Sequence, residues 1–340
     1  MIKFLKNISS LFILIIISCV SLSSCVEEGL FINEDQLPIK FHYTIYMGSK
    51  GEYIYNDIPS NETFSISGVR EDKSIYFENI LINGNMEMGN GKTVYWPSRD
   101  AVLIFTALFP SFVYDNYEIK DNRLNNVAVG GYDLLIANDT VQNSPANQGI
   151  ADISFYHSLA YLSQLSVERI KTDSSFSEQE EDYELYLNKV GISLFTMGDL
   201  KIENMEWENL KNYKEFEKIP SSGQQQLLKL DELFSDFSSF DYSYEFFIPQ
   251  ELKFEVWVTL YQINKETNEK ILIWGDEETS QGKPLTASIG GFNSGSRTHL
   301  CLQLSVKSIL DRIKEQDNNE NISRGNLFFN EFSIVNKDPV

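Results

Sequence analysis

Apolar residues at every second position, in one short segment after another, constrain this chain more than any other feature. In Pro38–Tyr46 (PIKFHYTIY), Ile39, Phe41, Tyr43 and Ile45 fall on one side and Lys40, His42, Thr44 and Tyr46 on the other. Side chains alternate across the two faces of an extended strand, so this period predicts a strand with one face buried. The same reading gives strands at Thr63–Val69, Ile75–Ile82, Ala101–Phe109, Tyr132–Ala137, Ile153–Phe155 and Tyr161–Val167. It continues through Val190–Thr196, Tyr244–Ile248, Phe254–Ile263, Lys270–Trp274, Thr298–Val306 and Leu327–Val335. The connecting segments are rich in Asn, Asp, Gly and Ser, as turns require. Only Gln224–Phe237, with Leu227, Leu230 and Phe234, and Val306–Lys314, with Ile309, Leu310 and Ile313, space their apolar residues as helices do.

Short strands at intervals of roughly ten residues predict an all-β chain built of sandwiches. The polar, acidic stretch 172–184 (TDSSFSEQEEDYE) is the expected boundary between an N-terminal sandwich, 37–171, and a C-terminal one, 172–340. The 23 Phe and 17 Tyr suit half-buried pleated surfaces.

The first residues have a different character. Lys3 and Lys6 precede an apolar run, Leu11–Ile17, which is far shorter than the about 20 residues needed to span a bilayer. This describes a secretory signal peptide over 1–24. Leu22-Ser23-Ser24-Cys25 resembles the lipobox of bacterial lipoproteins, which implies a lipid on Cys25 and a lipidated tether over 25–36. Val26-Glu27-Glu28 resembles the acidic signal that sends some such lipoproteins to the outer face of the outer membrane. A multiply acylated cysteine anchors a protein without a transmembrane helix. Apart from Cys19 in the leader, only Cys25 and Cys301 remain, so neither a disulfide framework nor a cysteine zinc cluster is expected.

Forty-nine acidic residues give a net charge of −21, which argues against nucleic acid as a partner. No residues combine into a catalytic signature. His42, His157 and His299 each lie in or beside a strand pattern, outside any HExxH frame, and no GxGxxG, GxxxxGK or GxSxG occurs. The pairs Glu180-Glu181 and Glu277-Glu278 do not follow the spacing of a calcium loop. No catalytic residue, metal or cofactor is therefore expected. Asp139-Thr140-Val141 resembles a bacterial O-glycosylation acceptor, making Thr140 a candidate modification site.

Several segments, taken in order, resemble the fimbrillin family of subunits and accessory proteins of donor-strand-assembled (type V) pili. Tyr95-Trp96-Pro97-Ser98 and the run ending Phe105-Thr106-Ala107-Leu108-Phe109-Pro110 match one family segment. Asp133–Ala137, followed by Ile153–Ala160 with His157 inside it, matches a second. Val190–Ile202, with Gly198-Asp199 expected to turn between two strands, Phe247-Ile248-Pro249-Gln250 and Thr298–Val306 match later ones. The resemblance implies two tandem transthyretin-like β-sandwich domains, a structural His157, and other fimbrial subunits as partners through β-strand addition. Polymerising members lose their first strand to an arginine-specific protease, but this first strand has no arginine near it. Arg70 is the first arginine of the chain and the candidate processing site; if it is structural, the chain stays uncut as an anchor or stand-alone lipoprotein. Leu327–Val335, with Phe328, Phe332 and Ile334 on one alternating face, is the candidate donor strand. The expected setting is a fimbrium at the outer membrane, with a host protein or glycan as a further partner. The alternative is a surface glycan-binding lipoprotein, for which an exposed cluster among Trp96, Trp207, Trp257 and Trp274 would speak.

Overall fold

The computed structural model describes residues 37–46, 57–117, 119–171, 180–218, 228–230, 234–237, 246–276, 282–318 and 333–337. The chain is all-β. Its first strands are β1 (Lys40–Tyr46), β2 (Thr63–Arg70), β3 (Ile75–Asn83) and β4 (Val102–Phe109). A short helix, α1 (Phe112–Asn116), precedes β5 (Ile119–Lys120), β6 (Arg123–Ala128), β7 (Leu135–Gln142), β8 (Ile150–His157) and β9 (Ala160–Arg169). Then come β10 (Tyr183–Lys201), β11 (Trp207–Lys218), β12 (Leu228–Lys229), β13 (Phe234–Phe237) and β14 (Phe246–Phe247). The last elements are β15 (Leu252–Ile263), β16 (Lys270–Trp274), β17 (Lys283–Ile289), β18 (Arg297–Leu304), helix α2 (Val306–Asn318) and β19 (Ser333–Lys337).

These strands form three sheets. A six-stranded sheet has the order β1-β8-β7-β4-β2-β3. An eight-stranded sheet runs β16-β15-β10-β6-β5, with β11 and β12 also on β10 and β17 also on β15. A five-stranded sheet runs β13-β9-β18-β19, with β14 also on β9. Pairing is antiparallel except for β1 with β8 and β18 with β9.

Three cores hold the sheets. One lies on the inner face of the six-stranded sheet and includes Phe64, Ile66, Trp96, Phe105 and Phe155. A second fills the space between the other two sheets with Leu185, Val190, Phe254, Val256, Leu300 and Leu302. The third joins Leu108 and Ile136 of the six-stranded sheet to Leu124, Leu200, Phe246 and Ile248. The six-stranded sheet is thus covered on both faces at one end. This explains why Ala101–Phe109 reads as a nearly continuous apolar run and not as a strict alternation.

Several sequence expectations change. β9, expected in the N-terminal sandwich, pairs with β18, and β6 pairs with β10. Strands from before residue 171 thus take part in the two sheets built mostly from later ones. Gly198-Asp199 does not turn the chain. It lies inside the 19-residue β10, where the pairing shifts register against both β11 and β6. Asp199 accepts hydrogen bonds from Asn126 N–H and Asn209 Nδ2, each at 2.8 Å, so the glycine-aspartate pair accommodates a bulge. A second register shift, between Leu187 and Lys189, changes the buried positions of β10 from Leu185 and Leu187 to Val190, Ile192 and Leu194. One extra residue flips the parity of a strand, and this one keeps both halves of β10 facing apolar cores. Within Gln224–Phe237 the described residues are strands, because Leu228 pairs with Leu187, Phe234 with Val167 and Phe237 with Leu165. The helix expected from Val306 is present, and Ser305 Oγ caps it by accepting the Ser308 N–H at 3.0 Å.

The first strand and its groove: a candidate assembly site

β1 forms one edge of the six-stranded sheet, and its alternation is the one read in the sequence. Ile39 and Phe41 are buried, Tyr43 and Ile45 pack against the same core, and Lys40, His42, Thr44 and Tyr46 are exposed. The inner stripe meets a wall of rings. Phe41 stands edge-on to Phe105 at 5.7 Å, and Tyr43 edge-on to Phe64 and Phe155, each at 6.1 Å. Edge-to-face packing of this kind adds to the value of the buried area. On the outer face His42 Nδ1 lies 3.0 Å from Asp152 Oδ1, and Tyr46 stacks on Tyr156 at 5.0 Å.

Each end of the strand is tied separately. At its start, the N–H of Trp96 donates to the Leu37 carbonyl at 2.9 Å and the N–H of Ile39 to the Val94 carbonyl at 2.8 Å. Towards its end, the Tyr43 hydroxyl donates to the Asp57 carboxylate and accepts the Ile58 N–H at 3.1 Å. Burial, with the acidic Asp57 partner adding to it, pushes the Tyr43 hydroxyl up to about 12. In the middle of the sheet, Asp139 replaces part of the ladder between β7 and β8 by accepting the Ser154 N–H at 2.7 Å. Burial raises its carboxyl above the usual range, and the bond from Ser154 offsets this in part.

The other predicted residues lie apart. Arg70 closes β2 at the turn into β3 and is exposed. Its N–H donates to the Ser74 carbonyl at 2.9 Å, its carbonyl accepts the Lys73 N–H at 2.8 Å, and its guanidinium lies 4.8 Å from the Tyr76 ring centre. β2 is an interior strand, between β4 and β3. Thr140 is within β7, opposite Ile104, with its side chain exposed. Ile334 lies in β19, opposite Leu302 of β18, and packs against the core between the two C-terminal sheets. Cys25, Phe328 and Phe332 lie outside the described residues. His157 is buried at the end of β8, with Nδ1 2.5 Å from Asp133 Oδ2. None of the four tryptophans is exposed: Trp96 and Trp274 are buried, Trp207 donates its indole N–H to the Ser158 carbonyl at 2.8 Å, and Lys189 covers Trp257. Among the described residues, no three His, Cys, Asp or Glu side chains gather as a metal site.

Sequence reading missed Gly149. Its signal was Asn147-Gln148-Gly149, a turn in which Gln148 and Gly149 have φ of 51° and 82°.

No curated protein matches the sequence. Several solved structures are similar to the chain. A fimbrial protein from Bacteroides vulgatus is 15% identical, with a TM-score of 0.49 over 80% of this chain and 96% of that one. The fimbrial anchor protein from Porphyromonas gingivalis is 12% identical, with a TM-score of 0.32 over 78% and 90%. The fimbrillin-like family model matches residues 55–311, most of the chain. On that match the chain belongs to the fimbrillin-like family.

Proposed function

We propose that this protein is a structural subunit or anchor of cell-surface fimbriae, lipidated on Cys25 at the outer membrane and joined to other subunits by β-strand addition. Its two halves are read as tandem transthyretin-like sandwiches. The observation that carries the reading is β1: an edge strand whose Ile39, Phe41, Tyr43 and Ile45 fill an apolar groove. A strand from another chain would use the same physics, with backbone hydrogen bonds giving affinity and alternate side chains giving specificity.

Within that role we favour an uncut anchor or terminal subunit. A cut after Arg70 would remove β1 and also the interior β2, leaving β3 without its neighbour. The turn holding Arg70 is also tied by backbone hydrogen bonds on both sides, and such backbone resists the local opening that proteolysis needs. The glycan-binding reading gains no support from the tryptophans, since no exposed pair forms a platform. A host protein or glycan remains a partner for the assembled fibre, and Thr140, exposed on β7, remains the candidate for O-glycosylation.

Sheared surface fibres from the native organism test the assignment. Immunogold labelling with an antibody to this chain is expected on fibres or at their bases. Label spread over the membrane in cells that make fibres normally without this chain would overturn it.

A further inference from the structure

The start of the first strand is held more firmly than the rest of it. Among the described residues, Lys40–Tyr46 has a neighbour, β8, on one side only. Leu37–Ile39, by contrast, is flanked on its other side by Val94–Trp96, with Pro38 bridged to Tyr95. The carbonyl of Gly149 gathers the two sides. It accepts the Lys40 N–H at 3.0 Å and the fully buried Trp96 indole N–H, also at 3.0 Å. Both lone pairs of that oxygen are used. Position 149 tolerates no side chain, because its φ is 82° and a Cβ there would lie 2.9 Å from the Pro38 carbonyl oxygen.

We infer that Trp96 and Gly149 form a latch that keeps the first strand in its groove, and so decide whether that groove can accept a strand from a neighbouring subunit. The inference rests on the strand-addition reading above. An edge strand leaves its sheet by fraying. Fraying of β1 from its open end stops at Leu37–Ile39, where departure would take the Lys40 N–H from the buried Gly149 carbonyl and break the bonds of Leu37 and Ile39 to Val94–Trp96, while the Trp96 indole holds that carbonyl in place to receive the strand. Breaking hydrogen bonds between buried groups costs more than breaking solvated ones, so the step is steep. Parallel pairing along Lys40–Tyr46 is slightly weaker per residue than antiparallel pairing, so the ladder of the open end gives way before the doubly flanked start of the strand. Trp96 is a positioning residue in this scheme, acting on β1 through the Gly149 carbonyl.

Hydrogen exchange of the whole chain, read by mass spectrometry, tests the latch in Trp96→Phe. Trp274→Phe is the control: Trp274 is also buried and donates its indole N–H, to the Lys283 carbonyl at 3.2 Å, but in the core between the eight- and five-stranded sheets. A labelled peptide with the sequence of residues 37–46 is offered to each protein. The amides of 40–46 are expected to exchange roughly tenfold faster in Trp96→Phe than in the parent, and to be unchanged in Trp274→Phe. Trp96→Phe is expected to take up the peptide and the parent is not. Gly149→Ala, which keeps the indole, is expected to act in the same direction and serves if Trp96→Phe does not fold. Unchanged protection of 40–46 in both latch variants, or equal loss in Trp274→Phe, overturns the latch. Faster exchange without peptide uptake supports the latch and counts against strand addition.

Discussion

His157 Nδ1 and Asp133 Oδ2 lie 2.5 Å apart with both side chains buried, and together they tie the end of β8 to the residues that lead into β7. The pair sits where the six-stranded sheet meets the core shared with β10. Next to it, Ser158 and Leu159 carry the chain across to β9. Their carbonyls accept the Trp207 indole N–H at 2.8 Å and the Gly295 N–H at 2.8 Å. The histidine therefore braces the crossing between sheets. Asp133→Ala is expected to lower unfolding free energy by about 1–3 kcal/mol, the usual cost of taking one partner from a buried hydrogen bond. Urea unfolding followed by tryptophan fluorescence checks this, and a change within a few tenths of a kcal/mol would show that the pair has no such role.

The Glu184 cluster gives a pH prediction. Burial would raise its carboxyl, but hydrogen bonds from Lys229, Lys270 and Tyr186 outweigh this and lower it from 4.5 to about 2. The partners approach to 2.8, 2.5 and 2.7 Å and join β10, β12 and β16. A depressed carboxyl stabilises the fold fully above its unfolded value and loses that contribution as pH falls through its folded value. The parent should therefore exceed Glu184→Gln in stability at neutral pH, by roughly 1 kcal/mol because both lysines are partly solvated. That difference should shrink between pH 4.5 and 2. Melting temperatures of the two proteins across this range decide it, and a gap that stays constant would contradict the account.

The final strand gives a third prediction. Ile334 faces Leu302 and packs on the C-terminal core, while β19 itself is the edge of its sheet. Deleting residues 327–340 is expected to abolish incorporation into fibres while the six-stranded sheet stays folded, since that sheet shares no strand with β19. Blots of the fibre fraction, with protease mapping of the soluble protein, read both halves. Normal incorporation of the truncated chain would remove Leu327–Val335 as the donor.

These expectations also mark what the sequence makes legible. Local patterns work where one face of a strand is buried. Lys270–Trp274 has the predicted bounds, and β1 buries the predicted side. They fail where burial takes another form. β11 (WENLKNYKEFEK) pairs on one side with β10 and is largely solvated, so it carries no apolar alternation to detect. Gln224–Phe237 shows helical spacing, yet its described residues pair with strands about 40 to 70 residues away, and local spacing carries no trace of those partners. The same limit hides the groove. Trp96 stands out in its motif, but Gly149 lies 53 residues further on, and only folding brings its carbonyl to the indole.

The central claim is that the protein sits at the outer membrane as a lipidated fimbrial subunit that keeps its first strand. Intact-mass and N-terminal analysis of the chain from native outer membranes tests it most directly. The account predicts an acylated Cys25 at the start of a continuous polypeptide that runs through Lys40–Tyr46 and past the Arg70-Glu71 bond. A chain that begins at Glu71 and carries no acyl mass would contradict it.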